Sequence, residues 1–125
     1  MYARLSLCIS LGVLALLLAP RSTPAHHGWG GNSTEEFEIT GVVDTGVSLS
    51  GPHATMKIRV DKQLWDITLA PPPQTNRAGL KEGIIPVGAT VTIHGHRNLD
   101  PKRFEIKGER VTWNGRTFDV YPGRT

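Results

Sequence analysis

Residues 54–69 read Ala-Thr-Met-Lys-Ile-Arg-Val-Asp-Lys-Gln-Leu-Trp-Asp-Ile-Thr-Leu, and this stretch decides the fold. Ala54, Met56, Ile58 and Val60 alternate with Thr55, Lys57, Arg59 and Asp61. Trp65, Ile67 and Leu69 then alternate with Asp66 and Thr68. A period of two turns one side of an extended chain to a core and the other to water. Asp61-Lys62, between the two runs, is short enough for a hairpin turn. The stretch therefore reads as two neighbouring strands, each buried on one side.

Working outward, Glu36 to Asp44 sets Phe37, Ile39 and Val43 among polar neighbours and predicts a first strand. Pro71-Pro72-Pro73 ends the third strand, because proline has no N–H to give to a ladder. Thr75 to Glu82 predicts a short helix, capped by Thr75 or Asn76 and stopped at Gly83. Ala89, Val91 and Ile93 alternate with Thr90, Thr92 and His94 in a fourth strand, and Phe104 and Ile106 centre a fifth. Asn114-Gly115, between Val111-Thr112-Trp113 and Thr117 to Val120, is the strongest hairpin signal in the chain. Three strands, one short helix, two strands and a C-terminal hairpin is the element order of a small all-β, OB-fold-like barrel. A small β-sandwich produces the same alternation and is the alternative.

The chain has 125 residues, a net charge of +3, five histidines and one cysteine. Residues 1–25 hold Arg4, Arg21 and Cys8 and no acidic residue, so setting them aside removes two positive charges and the only thiol. Arg4 precedes an uncharged, leucine-rich run from Leu5 to Ala19, and Thr23-Pro24-Ala25 supplies small residues for cleavage. This is the anatomy of a secretory signal peptide, too short in its apolar run for a membrane anchor. The expected organisation is a signal peptide over 1–25, a flexible Gly/His arm over 26–34 and one barrel-like domain over 35–125. The expected location is the periplasm or the extracellular space, with no stable membrane anchor after cleavage. A thiol-free, nearly neutral remainder excludes a disulfide scaffold, a thiolate metal site and a cysteine nucleophile. It also argues against a nucleic-acid partner, which needs a dense basic surface.

No phosphate loop, nucleophile elbow or His-Glu-x-x-His helix is present, and no enzyme activity is indicated. The histidines are the remaining chemistry. Cleavage after Ala25 makes His26 the first residue, so its α-amine and ring can chelate one ion. His27 in second position can instead recruit the amine, the intervening amide and its own imidazole. His94 and His96 lie two apart on one strand and share a face, the polar one by parity unless Gly95 marks a bulge. His53 has the parity of Thr55 and Lys57 and also faces away from the core. Imidazole suits copper, zinc and nickel, and nitrogen-rich tetragonal sites favour Cu(II). His26, His27, His53, His94 and His96 are therefore the candidate ligands, and copper the candidate ion. Trp65 and Trp113 keep core parity, whereas Trp29 is free to dock the arm or cover a site. Lys102, Arg103, Lys107 and Arg110, broken by Glu105 and Glu109, read as a solvated face.

The order of short motifs resembles a family of small exported bacterial proteins of unknown function. The matching residues are Ala25-His26-His27, Gly51-Pro52-His53, Trp65-Asp66-Ile67, Arg77-Ala78-Gly79-Leu80, Pro86-Val87-Gly88, Gly95-His96 and Glu109-Arg110-Val111-Thr112. The family pattern runs Ala-His-His, Asn-Pro-His, a Trp-centred strand, an Arg-x-Gly-Trp helix and a Thr-Gly-His strand. Here Gly51 replaces the Asn, Leu80 the Trp and His94 the Thr. The resemblance implies no activity, but it singles out His26, His27, His53 and His96. The resulting expectation is a periplasmic copper-binding protein for sequestration or delivery, with His26, His53 and His96 around the ion and His27 and His94 accessory. The alternative is an envelope module that uses the barrel surface to bind a ligand or a periplasmic protein, without metal.

Overall fold

A computed structural model describes residues 29–124. Six strands and one helix follow in order: β1 (Phe37–Ser48), β2 (Thr55–Val60), β3 (Gln63–Thr68), α1 (Pro72–Arg77), β4 (Thr90–Arg97), β5 (Glu105–Trp113) and β6 (Arg116–Asp119). The sheet order is β3-β2-β1-β4-β5-β6, and β3 also pairs with β5. That last pairing is parallel, joining Asp66 to Glu105, Ile67 to Ile106 and Thr68 to Lys107. It closes β1 to β5 into a ring, leaving β6 outside as an extra strand. The fold is thus a small OB-fold-like barrel, and the closure excludes a two-sheet sandwich.

The alternation that defines the strands also fills the interior. Met56, Ile58, Trp65, Ile67, Val91, Ile93, Ile106 and Val111 are all buried, and Leu80 and Ile85 join them from the crossover between α1 and β4. Asp61 turns the β2–β3 hairpin with a φ of 54°, a conformation that aspartate tolerates. Asn114 and Gly115 take φ values of 51° and 74°, as the two central residues of a type I′ turn require. The final hairpin is continuous with the fifth strand. Strand β5 runs unbroken through Gly108, so the hairpin grows out of the barrel wall itself.

The helix lies earlier than the sequence predicts. It spans Pro72–Arg77, with Pro71 as N-cap, and Gly79 follows with a φ of 89°. The prolines thus begin the helix besides ending the strand. A first-turn proline gives up no intrahelical bond, since that N–H has no partner in any helix. Thr75 lies inside the helix and donates its hydroxyl to the Ala70 carbonyl (2.8 Å).

Two irregularities bend the wall. Strand β1 shifts register against β2 between Val43 and Thr45 and again before Ser48. Between β4 and β5, His94 faces Arg110 while Gly95 faces Gly108, so Glu109 is an extra residue on β5. Such a bulge tightens the local twist. It also drives the backbones together: a Cβ on Gly95 would sit 2.1 Å from the Lys107 carbonyl oxygen. Among the described residues no helix is long and apolar enough to cross a membrane. The expected signal peptide, and His26 and His27, lie outside the described residues.

Candidate functional site

The outer face of β4 and β5, beside the bulge, carries the densest polar chemistry of the described chain. His96, Lys107 and Glu109 project from it, yet all three are buried, Glu109 completely. What covers them is the chain on either side of the barrel. Trp29 stands edge-on to His96 (5.5 Å) and to Tyr121 (5.1 Å). Residues 29–34, expected to be a flexible arm, are tied to the end of β4. Ser33 donates its N–H to Arg97, Leu99 donates to Gly31, and the Asn32 amide donates to the His96 carbonyl. On the other side, Val120 and Tyr121 both donate to the Glu109 carbonyl.

His96 is the pin of this cover. Its Nδ1 lies 2.8 Å from the Ser33 carbonyl oxygen and its Nε2 lies 2.5 Å from Glu109 Oε1. A carbonyl can only accept, so Nδ1 carries a proton; at Nε2 a second proton lies between ring and carboxylate. The ring is thus left with no free lone pair. Glu109 Oε1 also faces Arg124 Nε (3.4 Å), while Oε2 has no hydrogen-bond partner and stands 3.8 Å from Arg110 Nη1. Arg110 in turn pairs with Glu36 and donates to the Arg124 carbonyl, which ties both chain segments to the same strand.

Lys107 and Tyr121 are displaced from their ordinary titration. Burial, reinforced by the Arg124 charge, holds the Lys107 ammonium below its usual value, and burial pushes the Tyr121 hydroxyl up, opposed by Arg124. Lys107 Nζ stands 5.0 Å from the Trp29 ring centre, and the Arg124 guanidinium 3.9 Å from it. The indole face attracts both cations. Lys107 and Glu109 are therefore not the solvated face that their charge pattern suggests. The chain segments on either side of the barrel lie across them.

The candidate ligands do not form one set among the described residues. His53 places Nδ1 3.0 Å from the Leu69 carbonyl oxygen, beyond the end of β3. His96 stands on β4, on the far side of β5 from there. His94 lies opposite Glu38 across the β1–β4 ladder and pairs with it through Nε2 (2.8 Å). No three His, Cys, Asp or Glu side chains among the described residues stand together as a metal site. His94 and His96 share a strand face as their spacing predicts, but each meets a different carboxylate.

A separate groove of about 350 Å³ opens between residues 33–37 and the β4–β5 loop, lined by Glu35, Phe37, Arg97, Leu99 and Pro101 among others. Arg97 forms its floor. Its guanidinium lies over Trp65 (4.7 Å), Phe104 (5.6 Å) and Phe37 (5.9 Å) and plugs that end of the barrel.

No protein-family model and no curated protein matches the sequence. Among solved structures, the chain is similar to a ZRD-deleted mutant of TiaS in complex with agmatine (12% identity over 72% of this chain and 23% of that one, TM-score 0.49). It is also similar to apo TiaS, a tRNAIle2 agmatidine synthetase (15% identity, 63% of this chain and 18% of that one, TM-score 0.49). The chain spans less than a quarter of the length of either. The barrel assignment itself rests on the strand pairings described above.

Proposed function

We propose that this chain is an exported protein of the small family it resembles and that it binds copper at the amino end of the exported form. The ligands are the α-amine and ring of His26 together with the amide and ring of His27, and the role is sequestration or delivery. The observation that carries the reading is the seat of Trp29. Two residues beyond His27, the chain is held against His96 and Tyr121. A chelate built next to a fixed anchor loses less freedom on binding than one at the end of a loose tail. The described histidines narrow the ligand set. Both nitrogens of His96 are engaged, and Lys107 and Arg124 beside it repel a further cation. This supports a site at His26 and His27, with His53, whose Nε2 has no hydrogen-bond partner among the described residues, as an alternative donor.

The test is to purify the exported form, fix its first residue by intact mass with and without chelator, and titrate with Cu(II). Nitrogen hyperfine structure in the EPR spectrum that is altered in His26→Ala, as one of four nitrogen ligands is lost, and is unaltered in His53→Ala is the expected result. A first residue other than His26, or a spectrum that His26→Ala leaves unchanged, overturns the proposal.

A further inference from the structure

The groove over Arg97 holds an arrangement that the copper reading does not use. Arg97 is fixed by three aromatic rings from below, and its Nη2 donates to the Pro101 carbonyl (3.1 Å). Among the described residues its buried Nε has no hydrogen-bond partner and no carboxylate pairs with it. With Nε buried and Nη2 on Pro101, the guanidinium leaves Nη1 as the charged donor that can meet a carboxylate in the groove.

The opposite wall carries negative charge. Glu35 is exposed at the rim, while the neighbouring Glu36 is already neutralised by Arg110. A multiply charged anion such as phosphate would meet Arg97 and be repelled by Glu35. A free amine would have the reverse difficulty. A ligand bearing both signs satisfies both walls. Phe37, Pro101 and the exposed Leu99 add apolar surface between them, and the volume is at the small-ligand end of the usual range.

We infer that this groove binds a small zwitterion, an α-amino acid with an apolar side chain, its carboxylate on Arg97 and its ammonium toward Glu35.

The experiment is calorimetric titration of the protein in chelator-containing buffer, so that its outcome is independent of copper. Three probes are used: L-leucine, 4-methylpentanoate (the same skeleton without the amine) and 3-methylbutylamine (the same skeleton without the carboxylate). Saturable binding of L-leucine, with each of the other two at least about tenfold weaker, is expected. Arg97→Met, which keeps the stem over the rings, abolishes binding, and Glu35→Gln weakens it. Should Arg97→Met lose its fold by circular dichroism, the exposed Glu35→Gln decides the matter, since no ion pair of the described residues involves it. Absence of L-leucine binding, equal affinity for 4-methylpentanoate, or binding unchanged in Glu35→Gln overturns the inference.

Discussion

His96 and Glu109 meet at 2.5 Å on the outside of the barrel, yet neither is open to water. The pair is hidden because Trp29 from one side and Tyr121 and Arg124 from the other close over it. A buried carboxylate with one oxygen unpartnered is tolerable only while its cations stay in place.

Removing either member therefore leaves the other as an uncompensated buried group. Glu109→Ala is expected to lower unfolding free energy by about 3 kcal/mol in urea denaturation at neutral pH. Glu109→Gln, which keeps an acceptor for His96, should lose less. Equal stability of wild type and Glu109→Ala would show that the pair contributes nothing.

Lys107 makes the cover sensitive to alkali in a defined direction. Its folded value lies below the ordinary 10.5, so between the two values the unfolded chain holds a proton that the folded chain lacks. Stability then rises with pH through that window. Tyr121, displaced above 10.0, acts oppositely once the unfolded tyrosine begins to ionise. Stability measured as pH rises toward 10.5 should therefore climb relative to that of Lys107→Met, whose own curve keeps the downward contribution of Tyr121. A parallel pair of curves would contradict this.

Gly95 is the residue the bulge cannot exchange. With its would-be Cβ 2.1 Å from backbone oxygen, Gly95→Ala must pry β4 from β5, at a cost of about 3 kcal/mol or more. Gly46, whose nearest would-be contact is 3.9 Å away, is the control. Gly46→Ala should leave stability within about 1 kcal/mol of wild type. Thermal denaturation of the two variants side by side checks both.

Trp29→Ala tests the cover without touching the barrel. Amide hydrogen exchange of Asn32 and Ser33, both hydrogen-bonded in the tied segment, should accelerate by an order of magnitude or more, while Ile58 and Val91 remain protected. Global stability should fall by about 1–2 kcal/mol. Unchanged exchange at Ser33 would mean that Trp29 is not what holds the segment down.

The barrel was legible because alternation in residues 54–69 and 89–93 reports burial directly, and Asn114-Gly115 has little other use than a tight hairpin. The helix was misplaced because Pro71-Pro72-Pro73 reads equally as the end of a strand and the start of a helix, and only tertiary context chooses. The cover was not legible. It depends on residues far apart in sequence, Trp29, His96, Glu109 and Tyr121, whose meeting no local pattern encodes. One trace of it was present. Ile106 and Val111 are both buried, but they stand five apart, which a regular strand would put on opposite faces. A bulge had to lie between them, and with it a reason for Lys107 and Glu109 to be out of phase with a solvated surface. His26 and His27 are singled out by their chemistry and by the family resemblance, and the fold contributes only the anchored Trp29 that follows them.

The contact of Trp29 with Tyr121 joins nearly the two limits of the described chain. Closing so long a loop comes late, after the strand pairings that bring its ends near. A chain emerging amino end first can assemble β1 to β4 while His96 still lacks its partner from β5. The polar interior of the cover is thus sealed only once Tyr121 and Arg124 have followed β5 and β6. A copy lacking Tyr121 and Arg124 would expose a charged, unsheltered flank that those two residues conceal.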